Sequence, residues 1–143
     1  FVQFEGTEIV SQQERELKVR LKLNPIRELI ADKDIIVIDD SVVRGTTSRQ
    51  IIRILRQAGA RKIHLLISSP PTISPCFYGV DTPHKEQLIC ANKSIEDVRK
   101  YIGADSLGFL SIEGLVRSIG GENKSWCKAC FDENYIDEYT RGL

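Results

Sequence analysis

Methionine is absent from the 143 residues, tryptophan occurs once, histidine twice and cysteine four times. Four cysteines are too few to staple a small domain. They place the chain in a reducing compartment and leave metal or cluster ligation as the reading to test. Charge of one sign is also missing: twenty Lys and Arg balance twenty Asp and Glu. That excludes the strongly basic surface on which nucleic-acid binding depends. No apolar run approaches the ~18 residues of a membrane span, and the N-terminus shows no basic-then-apolar secretory pattern. A chain that opens on Phe1 reads as a piece of a longer protein or as a processed one. What remains is 41% apolar and 28% charged residues, the mix of an ordinary globular domain with a core of its own.

Val19 to Leu23 alternates apolar and polar residues, a short half-buried strand stopped by Asn24-Pro25. Ile35-Ile36-Val37-Ile38 is a β-branched run of strand length, ended by Asp39 and Asp40. A loop follows from Ser41 to Ser48, holding Gly45 and four hydroxyl side chains. Arg49 to Ala58 carries Ile51, Ile52, Leu55 and Ala58 at helical spacing, with Gly59 as its stop. Lys62 to Ser68 is a second buried strand. Strand, loop, helix and strand make one βαβ unit and therefore a parallel sheet. Further on, Thr82-Pro83 predicts the start of a helix running to about Ala91. Ser94, with Asp97 three residues later, opens another that ends at Gly103. Leu107 to Leu110 is a short strand, and Ser111 caps a last helix closed by Gly120-Gly121.

The chemistry gathers between Ile35 and Ser48. Ligands of an open parallel sheet sit at the carboxyl ends of its strands, where Asp39 and Asp40 stand. Gly45 allows backbone N–H groups close to an anion, and the following helix points its positive end at the same place. Thr46, Thr47 and Ser48 add hydroxyl donors. Carboxylates beside a phosphate site suit sugar hydroxyls or a bridging Mg2+. Phosphate plus vicinal diol describes a ribose 5-phosphate. The Gly-Lys-Ser/Thr ending of a Walker loop and the three-glycine dinucleotide pattern are both missing. An acid pair alone would read as the capped end of a strand. With Arg-Gly-Thr-Thr following it, between a buried strand and an amphipathic helix, the ligand reading prevails.

Ile35 to Thr47, with Asp-Asp-Ser-Val-Val-Arg-Gly-Thr-Thr at its end, resembles the phosphoribosyl-pyrophosphate (PRPP) motif of type I phosphoribosyltransferases. Lys22-Leu23-Asn24-Pro25, Ser68-Ser69-Pro70-Pro71, Pro75-Cys76-Phe77-Tyr78-Gly79 and Ile102 to Leu107 further resemble the glutamine PRPP amidotransferase family of purine synthesis. The likeness spans about residues 11 to 135, with several separated motifs in the same order. It implies an α/β fold of the type I phosphoribosyltransferase kind, an open parallel sheet with helices on both faces. Residues 1–121 would be a partial phosphoribosyltransferase domain, shortened on its N-terminal side, and residues 122–143 a cysteine-containing tail. Members of the family release ammonia from glutamine in a glutaminase domain and add it to PRPP in a transferase domain, giving phosphoribosylamine and pyrophosphate. Only the second domain has a counterpart in this sequence. Phe1-Val2-Gln3 resembles the end of the family's active-site loop, a pattern residues 4–10 do not continue.

Site roles follow from the resemblance. Asp39 and Asp40 would hold the ribose hydroxyls and Mg2+. Ser41 lies beside them, and Arg44, Gly45, Thr46, Thr47 and Ser48 would cradle the 5-phosphate. Lys22 would face the pyrophosphate as the catalytic cation; taken alone it reads as a solvent-facing lysine on an edge strand. The two histidines, His64 and His84, read as structural. Cys127 and Cys130 form a CxxC pair, which alone fits a redox pair, half a zinc site, part of an iron–sulfur site or coincidence. The resemblance implies a structural 4Fe–4S cluster on Cys76, Cys127 and Cys130, its fourth ligand outside this chain. Cys90 reads as core packing. The family also implies purine nucleotides as feedback inhibitors, a homo-oligomer, a cytoplasmic or plastid location, and neither membrane nor nucleic-acid partners. Two other readings remain: a non-catalytic PRPP-binding regulator of the same fold, and a phosphoribosyltransferase acting on a nucleobase. The cysteine set speaks against both.

Overall fold

Short runs rich in Ile, Leu, Val and Phe build three parallel strands, and a computed structural model describes them within residues 25–120 and 126–136. In chain order the elements are α1 (Arg27–Ile30), β1 (Asp34–Asp39), α2 (Thr46–Gln57), β2 (Lys62–Ile67), a 3-10 turn (Lys85–Gln87), α3 (Ile89–Asn92), α4 (Ile95–Ile102), β3 (Ser106–Phe109), α5 (Ile112–Ser118) and α6 (Ala129–Asp132). The expected strand over Val19 to Leu23 lies outside the described residues. The sheet order is β1-β2-β3, with Ile35 opposite Ile63 and Leu65 opposite Leu107. Both pairings are parallel, so the βαβ reading of residues 35–68 is the observed one.

One face of the sheet carries the core. Ile63, Leu65 and Ile67 on β2 are buried there with Ile52 of α2 and Val98 and Ile102 of α4. Full burial of an Ile or Leu side chain contributes ~1.5–3 kcal/mol, so this cluster fixes how α2 and α4 lie against the strands. Cys90 is buried in the same cluster, as expected of a packing residue. Desolvation pushes its thiol up to about 11, which keeps it protonated and inert. The other face presents Ile36 and Ile38, 64% and 73% exposed. Helices α2 and α4 pack on the face that carries the core, and the open parallel sheet with its helices is the expected architecture.

Three of the helix ends form as expected. Ser94 accepts from the Asp97 amide at the start of α4, and Gly103 ends it in the left-handed region. Ser111 accepts from the Gly114 amide at the start of α5. The continuous helix from Thr82 to Ala91 does not form. Leu88 is wholly buried and extended, at φ −80° and ψ 110°, which interrupts the segment between the 3-10 turn and α3. The Asn92 side-chain amide donates to the carbonyls of Lys85, Glu86 and Leu88, satisfying acceptors that the break leaves open. Thr82 caps nothing there; its hydroxyl accepts from the Cys76 amide at 2.6 Å.

Asp105 ties the start of β2 to the loop before β3. Its carboxylate accepts from the Ile63 amide at 2.7 Å and pairs with Arg56, while its own amide donates to the Ile63 carbonyl. The Ile63 N–H first, and Arg56 second, hold its carboxyl below the ordinary value of 3.8. A depressed carboxylate stabilises the fold above its unfolded pKa and loses that contribution as pH falls through the folded value. Asp105→Asn should thus lower the melting temperature at neutral pH and flatten the loss of stability below about pH 4, read by thermal melts across pH 2–7.

Candidate functional site

Asp39 is the last residue of β1, and its backbone carbonyl is held by both the amide and the hydroxyl of Ser68 beyond β2, at 2.9 and 3.1 Å. The tip of the strand is thereby fixed. The Asp40 amide donates to the Asp39 carboxylate at 3.0 Å, and the Ser41 hydroxyl to the Asp40 carboxylate at 3.3 Å. Val42 then turns inward and is buried at 2% exposure, pinning the loop to the core between two polar stretches. Gly45, at φ +73°, redirects the chain into α2.

The helix begins at Thr46, three residues before the expected Arg49. The Arg49 amide donates to the Gly45 carbonyl at 3.0 Å, so the left-handed glycine is itself the N-cap and the three hydroxyl residues form the first turn. No side chain caps this terminus, in contrast to the serine caps of α4 and α5. The first-turn amides of α2 thus keep donors for an anion. Thr46 and Thr47 are exposed and Ser48 is buried. A cavity of about 270 Å³ fills the hollow they leave, and its lining runs unbroken from Asp39 to Ser48. Every described residue assigned to the ribose-phosphate role lines this one cavity; Lys22 lies outside the described residues.

Three neighbours that the sequence reading did not single out brace the loop. The Ile89 amide donates to the Val43 carbonyl at 2.9 Å. Gln87 accepts from Arg44 Nε at 2.9 Å. Tyr101 lies under the start of α2, with the Arg49 guanidinium 5.0 Å from its ring centre. No local pattern marks them, because each lies more than forty residues along the chain from the loop group it supports.

No family model matches the chain. Curated relatives do: amidophosphoribosyltransferase 2, chloroplastic, of Arabidopsis thaliana is 50% identical over 125 residues, covering 87% of this chain and 22% of the relative. The amidophosphoribosyltransferase of Methanocaldococcus jannaschii is 51% identical over 128 residues, covering 90% and 27%. Among solved structures, the glutamine PRPP amidotransferase of B. subtilis complexed with ADP and GMP matches with a TM-score of 0.77 at 49% identity, over 88% of this chain and 29% of that one. The chain is similar to one segment of the amidophosphoribosyltransferases. It spans about a quarter of the length of those curated relatives. The three-stranded parallel sheet with its helices is the fold of the matching segment in the amidophosphoribosyltransferase structure.

Three of the four cysteines of this amidophosphoribosyltransferase-like segment, Cys76, Cys127 and Cys130, belong to its tail and to the loop after β2. The Cys130 carbonyl accepts from the amides of Ile73 and Ser74 at 2.9 and 3.2 Å. Tyr135 completes the joint: its hydroxyl meets Ser74 Oγ at 2.5 Å and donates to the Pro75 carbonyl at 2.6 Å, and its ring packs on Phe77 and Tyr78. Lys85 pairs with Glu133 across the same joint. The tail is thus docked by hydrogen bonds and aromatic packing of its own. Burial first, with Cys76 and Cys127 adding to it, pushes the Cys130 thiol up. Among the described residues no three His, Cys, Asp or Glu side chains close on a single metal position. The donor chemistry, three soft thiols, suits an iron–sulfur cluster or zinc. The histidines stand apart from the cavity: His64 shares a 2.7 Å hydrogen bond with Ser106, and His84 precedes the 3-10 turn. No helix of the described residues is long and apolar enough to cross a membrane.

A side chain at Gly45 would meet Ile89 Cδ1 at 3.1 Å and the Tyr101 ring at 3.3 Å, in a backbone conformation that disfavours Cβ. Gly45→Ala is expected to destabilise the chain by about 1 kcal/mol or more, measured by urea denaturation, and to weaken phosphate binding with it.

Proposed function

We propose that this chain is the PRPP-binding part of an amidophosphoribosyltransferase, which transfers ammonia to PRPP and yields phosphoribosylamine and pyrophosphate, the first step of purine synthesis. The observation that carries the reading is the cavity walled by Asp39 to Ser48, with two carboxylates at one side and an uncapped helix terminus at the other. The N–H groups of Thr46, Thr47 and Ser48, with their hydroxyls, would take the 5-phosphate. Asp39 and Asp40 would accept from the two ribose hydroxyls and orient the sugar. Displacement at the anomeric carbon passes through an oxocarbenium-like state while charge gathers on the departing pyrophosphate. The cation of Lys22 would face that charge, a role carried by resemblance alone. Ammonia is already a nucleophile, so the transfer needs little acid–base machinery.

Asp39 and Asp40 offer hard oxygen donors for Mg2+ beside the ligand, and the bound ion would supply positive charge next to the leaving group. Cys76, Cys127 and Cys130 would hold a 4Fe–4S cluster with a fourth thiolate from outside this chain, a structural link added to a tail already docked. Ammonia would come from a glutaminase domain elsewhere in the longer protein. Purine nucleotides are proposed as its inhibitors, since the B. subtilis relative was solved with ADP and GMP; a homo-oligomer is the expected assembly. The plastid is the proposed location if the source is a plant, as in the chloroplastic relative, and the cytoplasm otherwise. The regulator reading is weaker because the relatives sharing these motifs are named as transferases.

The test is pyrophosphate release from PRPP, Mg2+ and ammonium by the full-length protein that contains this chain. Release should depend on ammonium, and Asp40→Asn should lower kcat/KM by about 10- to 100-fold, the worth of a charged hydrogen bond. PRPP binding without release would favour the regulator instead.

A further inference from the structure

Arg44 is an exposed residue in the wall of the anion cavity, yet its side chain is not left to wander. Its Nε–H donates to Gln87 Oε1 at 2.9 Å, across 43 residues of sequence. The acceptor belongs to the 3-10 turn Lys85–Gln87, and that turn is anchored. Next to it Leu88 is wholly buried, Ile89 donates to the Val43 carbonyl, and Asn92 closes the turn's carbonyls. The backbone of Gln87 is therefore anchored, one residue from buried Leu88, and its exposed side chain reaches Arg44 from there.

A guanidinium has one N–H at Nε and a fork of two terminal nitrogens, which recognise phosphate by paired hydrogen bonds. Gln87 occupies the Nε–H. Among the described residues none hydrogen-bonds or ion-pairs with the terminal nitrogens. A neutral acceptor at Nε has a further consequence: it orients the cation without neutralising it, as a carboxylate in its place would.

We propose that Gln87 is a positioning residue for the ribose-phosphate site, holding Arg44 by Nε so that its terminal nitrogens serve an anionic group of the ligand. This rests on the reading of the cavity given above. Gln87 itself touches no ligand. Its effect should pass wholly through Arg44, and a residue that merely supported the fold would lack that property.

The experiment is a double-mutant cycle on this chain, with ribose 5-phosphate and inorganic phosphate as probes in isothermal titration. Arg44→Ala should weaken binding of ribose 5-phosphate by about 10-fold or more, and Gln87→Ala by about 3- to 10-fold. In an Arg44→Ala background, Gln87→Ala should change nothing further. Melting temperatures of the four forms should agree within a few degrees, and the Arg44 Nε–H resonance should shift in Gln87→Ala without any ligand. Equal binding by the parent and Gln87→Ala, or losses that add in the double variant, would overturn the positioning role and leave the cavity reading intact. Failure of the unsubstituted chain to bind ribose 5-phosphate would overturn the cavity reading, and the positioning role with it.

Discussion

Gly45 sets the geometry on which the site depends. A chain leaving a parallel strand must reverse to lay a helix back across the sheet, and here the reversal is completed at one residue with φ +73°. Because Gly45 is the N-cap, the peptide groups that follow it are helical from Thr46 onward. Their N–H groups face the loop just traversed, whose strand end carries Asp39 and Asp40. Carboxylates and uncapped amides therefore border the same 270 Å³ hollow. A side chain at this position is disfavoured on both counts: the backbone lies in the left-handed region, and Ile89 and Tyr101 crowd the place where a Cβ would stand.

That conformation holds because the segments around it cannot move independently. Ser68 fixes the Asp39 carbonyl from the neighbouring strand, Val42 is buried, and Ile89 fixes the Val43 carbonyl. Ile89 and Val98 belong to the same apolar cluster as Ile63 and Leu65. The core that builds the sheet thus also sets the cradle, and a change in the packing of α3 or α4 should be felt at the loop. The tail joint is a separate unit, with its own hydrogen bonds through Cys130 and Tyr135.

The legible parts of the sequence were those where one physical signal dominated. Ile35 to Ile38 reads as a strand because it is a β-branched run of strand length, and Lys62 to Ser68 because its apolar run has the length of a buried strand. Ser94 with Asp97, and Ser111, read as caps because a serine hydroxyl before an apolar helix has one obvious partner. The acid pair and the hydroxyl turn are consecutive in the chain, and the structure gathers them around one cavity. The misread segments were those decided by tertiary contacts. Thr82-Pro83 has the composition of a helix start, but burial of Leu88 in an extended conformation breaks the helix, and Thr82 serves the Cys76 amide instead. α2 starts three residues before the apolar spacing predicts, since a hydroxyl-rich turn has the composition of a loop and Gly45 caps it only in the fold. Gln87 and Tyr101 carried no signal, because their partners are brought near only by the fold.

The central claim is that the turn between Asp39 and Ser48 is an anion and sugar cradle. The most direct measurement is a two-dimensional amide NMR titration of this chain with ribose 5-phosphate. The account predicts saturable shifts concentrated at Asp39, Asp40 and the amides of Gly45 to Ser48, with Cys130 and Tyr135 unmoved. Saturable shifts centred on the joint lined by Phe77, Lys85 and Tyr135, with the turn unaffected, would contradict it.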